Sequence, residues 1–393
     1  MLEILNIFYF FLIFILIFSI PFNKFTSNQL IKIKGLKFNF FDYQSLNIIF
    51  FFYLILIISL LNLNLKFVFY FYILISIILV SINFLKKNEI KKDWDIKNFF
   101  FFFLITISIF FYVAHNLKLE WDGHHWLEKV NFFYNGNRIE NFFTLKYNPG
   151  YPHLGSYIWA FFWKNSLVNY EYAGRLFCVY FYTTSIFSLM NCIDDKLKKF
   201  KIFLIIFIVV ITFEPYLFAG YQDYFLFSIL VVTSRLLNIL NFNQINQKLL
   251  MLIILSLGLL MWFKNEGLVY FLIFSIILIV NIKINLNFKL LYFVSILLIV
   301  ISNFIIQKHL LGIYEVQAGT ASDSLREINI LLSNFNMILV KSFKIIFHSI
   351  IASIKYPSWI LIFFSIFFIF YKKSIDDKVK YLIQCIVFNL LFL

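Results

Sequence analysis

The sequence predicts an all-α protein, a polytopic bundle of about 10–12 transmembrane helices. Two observations lead to this fold class. Hydrophobic residues make up 62% of the 393 positions, and apolar runs close to the length that crosses a bilayer recur along the whole chain. A chain that crosses hydrocarbon repeatedly must satisfy its backbone hydrogen bonds internally, and helices do so within each span.

The predicted spans follow one another along the chain, at residues 5–22, 47–63, 66–83, 98–114, 170–192, 202–218, 223–241, 249–263, 267–282, 288–306, 357–371 and 379–393. Two further segments are predicted to be interfacial helices. Residues 327–355 alternate apolar and basic positions, as an amphipathic helix in the membrane surface does. Residues 156–164 are too short to span and carry two tryptophans as interfacial anchors.

The distribution of lysine predicts how the bundle is oriented. Lysines concentrate in one alternating set of loops, which includes residues 23–46, 84–97, 193–201 and 242–248, whereas the opposite set includes residues 115–169. Basic loops stay in the cytoplasm, so this set is predicted to be cytoplasmic. The opposite loops are less basic and hold Asp122 and Asp223. We therefore expect the polar clusters described below to share the non-cytoplasmic face.

Composition also excludes several classes of protein. The net charge is +14, but the lysines flank apolar runs and form no single basic face, which argues against a nucleic-acid-binding protein. The three cysteines have neither metal-site nor disulfide spacing and are expected to be buried, inert thiols. Residues 2–20 lack a basic start and a cleavage site, so they are predicted to be a retained helix.

Polar and turn-forming residues concentrate in residues 120–175. Four of the seven tryptophans and three of the six histidines lie between residues 121 and 163. In a chain this apolar, such a concentration marks the segment where chemistry is expected.

The first candidate cluster contains Glu120, Asp122, His124 and His125, just after the predicted span 98–114. A carboxylate at a membrane surface can act as a general base toward a hydroxyl or amine. Two acids this close are also common in ordinary loops. The adjacent histidines lack a third metal ligand at a recognisable spacing, so no metal site is predicted.

The second cluster is the turn from Lys146 to Gly155, which includes Tyr151 and His153. Its two prolines and its glycines favour an ordered turn over a helix. Lys146 and His153 flank that turn and could hold a phosphate. A purely structural turn before the helix at 156–164 explains the same residues equally well.

The third cluster contains Glu214, Gln222 and Asp223, in the loop between two apolar runs on the side of Asp122. An acid that opens a helix can be a simple N-terminal cap. A substrate-binding or catalytic role is the alternative.

Lys264 and Glu266 form the fourth cluster, between two short apolar runs, and Arg175 stands at the start of the span 170–192. Charges this close to hydrocarbon are costly unless they are paired or functional. A local ion pair, or a side chain that reaches to the interface, is the structural explanation.

The order of these features resembles the GT-C superfamily of polytopic glycosyltransferases, in particular protein mannosyltransferases and the enzymes that add sugars to lipid A and core oligosaccharide. The matching positions are Asp122 for the catalytic acid, Lys146 for a lysine before the proline pair, Pro152 and Leu154 for a Pro-Leu motif, Arg175 in Glu-x-x-x-Arg-Leu, Asp223 for the second acid, and Lys264 with Gly267 for a Lys-x-x-Gly motif. The family usually has Asp-Glu where this chain has Asp122-Gly123, and a second proline where it has His153.

The resemblance implies an inverting glycosyltransferase that moves a sugar from a polyprenyl-phosphate donor to a lipid, glycan or protein acceptor. Asp122 would be the base, with Glu120 and Asp223 as further catalytic acids. The donor phosphate would lie at Lys146, Arg175 and Lys264. The remaining candidates for substrate contact are His124, His125, Tyr151, His153, Glu214, Gln222 and Glu266. No cofactor is implied, and Asp223 is the position for an optional divalent metal.

The resemblance begins at about residue 98, so residues 1–97 are expected to be an N-terminal extension and residues 98–393 the catalytic domain. It implies a bacterial inner-membrane protein of the cell envelope, with its site facing the periplasm. The chain stops inside an apolar run, so later helices or a soluble tail are expected beyond Leu393. The alternatives are an O-antigen polymerase or ligase, a transporter with ionisable groups inside its helices, and an assembly subunit.

Overall fold

The computed structural model describes residues 1–19, 38–85, 96–145, 150–193, 198–242, 245–307 and 377–392, with isolated positions 344, 348 and 351. Within these ranges the chain is helical and contains no β-strand, which confirms the all-α prediction there. The α-helices are α1 (Leu2–Ser19), α2 (Phe40–Leu60), α3 (Leu65–Leu85), α4 (Ile96–His115), α5 (Trp121–Tyr134), α6 (Leu154–Lys164), α7 (Tyr172–Ser188), α8 (Lys198–Thr212), α9 (Asp223–Ile239), α10 (Gln247–Gly258), α11 (Glu266–Asn281), α12 (Leu286–Ile305) and α13 (Asp377–Phe392). Short 3-10 turns cover Ile139–Thr144, Leu189–Cys192, Pro215–Phe218 and Leu260–Trp262.

Among the described residues, three helices are long and apolar enough to cross a membrane: α2, α4 and α12. Each has 20 or 21 residues, and a helix of about 20 residues is about 30 Å long. Helix α12 exposes most of its apolar side chains, including Leu290 and Leu298. Such a surface is unfavourable in water and is compatible with a membrane protein. The predicted span 357–371 and the predicted helix 327–355 lie outside the described residues apart from the isolated positions.

Helix α7 is the centre of the bundle, because every one of its residues is buried. It packs against α1, α2, α4, α6, α8 and α9. A helix buried on all sides must satisfy its polar groups internally, and the Thr106 hydroxyl of α4 accordingly donates to that of Thr183 at 3.0 Å. Its aromatic residues stack with those of neighbouring helices, as Phe177 does on Phe162 at 4.8 Å.

The N-terminal helices share this core with the rest of the chain. Helices α1 and α2 both pack on α7. The Arg235 guanidinium of α9 donates to both oxygens of Asp42 in α2, at 2.8 and 3.1 Å, and both side chains are buried. The boundary predicted at residue 97 stays a prediction, but the helices on either side of it are joined by direct contacts.

Helices α2 and α9 run in opposite directions, and this gives the bundle two distinct ends. The Asp42–Arg235 pair joins the start of α2 to the last part of α9. The other end carries Asp223 at the start of α9 and, late in α2, Ser59, which is hydrogen-bonded to His153. We call this second end the polar end.

The predicted loop 115–169 is more ordered than the sequence indicated. Its first half forms helix α5, which was not predicted. The segment 156–164 is helical as expected, and α6 is buried against other helices from Leu154 through Phe162, so its location at the interface stays a prediction. Trp159 is buried, and its indole N–H donates to the carbonyl of Glu171 at 2.8 Å. Among the cysteines, Cys192 is exposed, contrary to expectation, while Cys178 and Cys385 are buried.

Candidate functional site

A close backbone crossing brings the start of α5 to the start of α9. The Glu120 N–H donates to the carbonyl of Ala219 at 3.1 Å. A Cβ atom on Gly123 would lie 2.1 Å from the oxygen of Ala219, and one on Gly220 would lie 2.5 Å from the Cα of Gly123. Gly220 also has a φ of 102°, a region that favours glycine. Only residues without a side chain allow the two segments to approach this closely.

The crossing places three carboxylates around one tyrosine. Asp122 lies in the first turn of α5, and Asp223 is the first residue of α9. Burial raises the pKa of Tyr221, and the nearby negative charges of Asp122, Glu120 and Asp223 raise it further. Both aspartates stand at helix N-termini, where the helix dipole favours a negative charge.

Lys264 joins this group from the turn that precedes α11. Its ammonium donates to the two carboxylate oxygens of Asp223, at 3.0 and 3.2 Å. Burial lowers the pKa of Lys264, but the carboxylates of Asp223, Glu266 and Asp122 outweigh burial and raise the pKa above its usual value. We call Glu120, Asp122, Tyr221, Asp223 and Lys264 the carboxylate cluster.

The turn predicted to hold a phosphate reaches the same region. The side-chain amide of Asn265 donates to the carbonyl of Gly150 at 3.4 Å, which ties the turn to the segment that carries Lys264. Lys146, the lysine expected to contact the donor, lies outside the described residues. The ring of Tyr151 packs edge-on to that of Trp126 in α5, with ring centroids 5.8 Å apart.

The buried side chain of Arg175 links three chain segments by hydrogen bonds. Its guanidinium forms a bidentate pair with Glu171, at 3.0 and 2.7 Å. It also donates to the carbonyls of Phe218, at 2.9 Å, and Leu117, at 3.2 Å. These bonds use four of the five N–H groups that a guanidinium has. In this arrangement the side chain positions the loops of the carboxylate cluster and offers little to a phosphate.

His153 and Gln222 are packed inside the polar end. The Nε2 of His153 lies 2.8 Å from the hydroxyl of Ser59, and its ring is fully buried. Gln222 is also fully buried, and a Cβ atom on Gly155 would collide with its amide oxygen at 1.8 Å. These positions are suited to packing, so the mechanism proposed below does not use them as substrate contacts.

The other predicted contact residues lie at the surface around the carboxylate cluster. His124 and Glu266 are exposed, and His125 and Glu214 are partly exposed. The ring of His125 packs edge-on to Trp121 at 5.4 Å. Within the described residues, no group of three or more histidine, cysteine or acidic side chains could hold a metal ion.

Two buried basic residues among those that the structure describes were not singled out from the sequence, Arg235 of the Asp42 pair and, nearer the site, Lys129. Lys129, in α5, is 2% exposed, and its ammonium lies over the ring of Trp126 at 4.6 Å and over that of Tyr151 at 5.3 Å. Burial lowers the pKa of Lys129 to about 7. The same cause, with the charge of Lys129, lowers the pKa of His153 to about 3. The available signal was the spacing of Trp126 and Lys129, which places both on one face of a helix.

Comparisons with protein-family models, with curated proteins and with solved structures found no match to this chain. Its function must therefore be argued from the carboxylate cluster.

Proposed function

We propose that this chain is a membrane glycosyltransferase that moves a sugar from a polyprenyl-phosphate donor to a hydroxyl of a lipid, glycan or protein acceptor. One observation carries the proposal. The charges of Asp122 and Asp223 both act on Lys264, and Asp223 forms an ion pair with it at 3.0 Å, at the end of the bundle where α5 and α9 begin. This arrangement combines a base with a cation beside a surface that a lipid-linked substrate can reach.

Asp122 is the proposed general base. Its carboxylate removes the proton from the acceptor hydroxyl as the oxygen attacks the anomeric carbon of the donor sugar. The bond from that carbon to the phosphate oxygen breaks, and the lipid phosphate leaves with the electron pair. A single displacement of this kind inverts the anomeric carbon. Asp122 is partly exposed, as a base that meets an external acceptor must be.

Lys264 is the proposed contact of the leaving phosphate. Its ammonium has three N–H groups, and Asp223 accepts from it with both carboxylate oxygens. Asp223 thereby fixes the lysine beside Asp122, so the cation is in place before charge develops on the leaving group. Glu120 and Tyr221 complete the surface of the site.

The topological part of the proposal comes from the sequence. The lysine distribution assigns the carboxylate cluster to the non-cytoplasmic face of a many-span bundle. For a bacterial inner membrane this face is periplasmic, where polyprenyl-phosphate sugars present their head groups. GT-C superfamily membership, and lipopolysaccharide or another cell-envelope glycan as the product, belong to the same proposal.

The test is sugar transfer from a polyprenyl-phosphate sugar by the purified full-length protein in lipid nanodiscs. Asp122→Asn should reduce turnover by about 10²-fold or more, the range that a general base contributes. Glu120→Gln should reduce it less. Glu140→Gln is the matched control, because Glu140 is an exposed acid of the same predicted loop and is hydrogen-bonded only to Asn62 among the described residues. Full activity of folded Asp122→Asn would remove the proposed base.

A further inference from the structure

An open concave site lies next to the carboxylate cluster. The C-terminal end of α4 with the loop after it, His124 of α5 and the start of α7 line this open cavity of about 460 Å³. We call it the Tyr170 cavity; its walls are residues 114–119, His124, Tyr170–Tyr172 and Arg175. Clefts that hold small molecules span about 300–1,000 Å³, so the cavity has room for one or two sugar rings.

The stacked rings of Tyr170 and Tyr172, which we call the aromatic plate, form one wall of the cavity. Tyr170 is 54% exposed, and its ring stacks on that of Tyr172 with centroids 6.0 Å apart and planes 19° apart. Tyr172 is buried and supports one face of the Tyr170 ring. A flat, exposed and supported ring of this kind suits the C–H-bearing face of a pyranose, which is apolar although the sugar's edge is polar.

The groups around the plate carry charges of both signs. The Glu171 carboxylate is paired with Arg175 at 2.7 Å, and Lys118, which also lines the cavity, is exposed. An anionic ligand would meet Glu171, and a cationic one would meet Lys118 and Arg175. Hydroxyl groups both donate and accept hydrogen bonds, so a neutral polyol can use both signs at once.

From this arrangement we propose that the Tyr170 cavity binds a neutral saccharide, with its ring stacked on Tyr170. The cavity lies at the start of α5, the helix that carries the proposed base, because His124 lines it. If the proposed glycosyltransfer is correct, the saccharide is the acceptor, and this part of the inference rests on the proposed function. Saccharide binding itself does not.

The experiment measures direct binding to the full chain in phosphatidylcholine nanodiscs, because maltoside and glucoside detergents would occupy the cavity. The probes are methyl β-glucoside and lactose as free sugars, octyl β-glucoside as a lipid-linked head group, glucose 6-phosphate as an anion and glucosamine as a cation. Saturation-transfer NMR, with competition, ranks them. We expect the neutral free sugars to bind and the two charged sugars to compete poorly.

Three variants connect binding with the plate. Tyr170→Ala should weaken saccharide binding by about tenfold or more, equivalent to about 1.4 kcal/mol. Tyr170→Trp keeps a flat ring and should retain binding. Tyr216→Ala is the matched control, since Tyr216 is 56% exposed in the loop before α9 and does not line the cavity. Melting temperatures of all variants show whether each is folded.

Three results would overturn the inference. One is unchanged saccharide binding in Tyr170→Ala. Another is tighter binding of glucose 6-phosphate than of methyl β-glucoside, which would make the cavity an anion site. Binding by octyl β-glucoside alone would also overturn it, because contact with the alkyl chain would then explain the signal.

Asp122→Asn separates the two proposals. It should bind saccharide like the wild type while losing transfer. Binding without any transfer activity in the wild type would leave the Tyr170 cavity in place and remove the proposed function. Transfer without saccharide binding at the cavity would rule out the cavity as a saccharide site and leave the proposed function in place.

Discussion

Lys264 is the cation of the carboxylate cluster, and its environment predicts the effect of replacing it. The Lys264 and Asp223 side chains are 17% and 34% exposed, so their ion pair should contribute about 1 kcal/mol or less to stability. A charge-assisted bond to a phosphate contributes about 1.5–3 kcal/mol. The two roles can therefore be separated by measuring stability and donor use in one variant.

Lys264→Met should raise the KM for the polyprenyl-phosphate sugar by about tenfold or more, while the melting temperature stays nearly unchanged. Lys146→Met should do the same if Lys146 also contacts the phosphate. Lys164→Met is the control, because the ammonium of Lys164 lies over the ring of Tyr134, outside the cluster. A loss of stability with normal donor kinetics would show that Lys264 is structural.

Lys129 predicts an unusual dependence of stability on pH. Its pKa is about 7 in the folded protein, against a usual value of 10.5. Between pH 7 and 10.5 the unfolded chain binds a proton at this residue and the folded protein does not, so stability rises with pH in this window. Below pH 7 both states are charged, and the full cost of burying the ammonium is about 5 kcal/mol.

Lys129→Met should therefore be more stable than the wild type at pH 6 and should lose the rise in stability between pH 7 and 10. Thermal unfolding of the nanodisc protein across this range measures both effects. Lys164→Met should keep the slope of the wild type. An unchanged slope in Lys129→Met would mean that the ammonium reaches water in the folded state.

Residue identity alone did not indicate which polar side chains are accessible. Asp122, Asp223 and Lys264 were singled out from the sequence, and the structure brings them together. His153 and Lys129 were not distinguishable from surface residues, because their burial depends on Ser59 and Tyr151, in other elements. Burial of a polar group by distant partners leaves no local pattern in the sequence.

The close contact between α5 and the turn before α9 determines the geometry of the carboxylate cluster. Two glycines with positive φ allow a matched comparison. Gly220 has φ 102° and touches the backbone of Gly123, whereas Gly136 has φ 80° and open space where its Cβ would lie. Alanine strains the backbone at both positions but collides only at Gly220.

Gly136→Ala should cost about 1–2 kcal/mol from backbone strain alone. Gly220→Ala should cost more, about 3 kcal/mol or above, because the crossing must also open. It should lower transfer activity of the folded fraction as well. Thermal unfolding and turnover give the two readouts. Equal losses of stability in the two variants would mean that the two backbone segments can move apart at little cost in free energy.

Hydrophobic length predicted the helices well where one run forms one helix, as in α4 and α12. It failed for residues 115–169, since α5 has a mixed composition and α6 is too short to be recognised as a core element. The stability of both comes from tertiary packing, which a one-dimensional pattern does not contain.

The whole molecule has two ends, and the lysine distribution predicts which compartment each faces. Arg138 is an exposed residue of the predicted outer loop 115–169, and Gln247 is an exposed residue of the predicted cytoplasmic loop 242–248. Cysteines at these positions can report the topology, because the only exposed native thiol among the described residues is Cys192.

In a Cys192→Ser background, Arg138→Cys should react with a membrane-impermeant maleimide applied to intact inner-membrane spheroplasts. Gln247→Cys should react only after permeabilisation. Labelling of both positions from outside would contradict the two-ended topology. The reverse pattern would place the carboxylate cluster in the cytoplasm, where the proposed periplasmic donor is absent.

The Asp42–Arg235 pair has a consequence for how the chain is made. Its partners are 193 positions apart in sequence and meet in the buried interior. A ribosome adds about 5–20 residues per second, so about 10–40 s separate the synthesis of the two. During that interval Asp42 must stay at an aqueous edge or carry a proton, since an unpaired carboxylate in hydrocarbon is too costly. An ionised Asp42 can therefore take its final buried position only after α9 emerges, and this gives the assembly of the bundle a built-in waiting step.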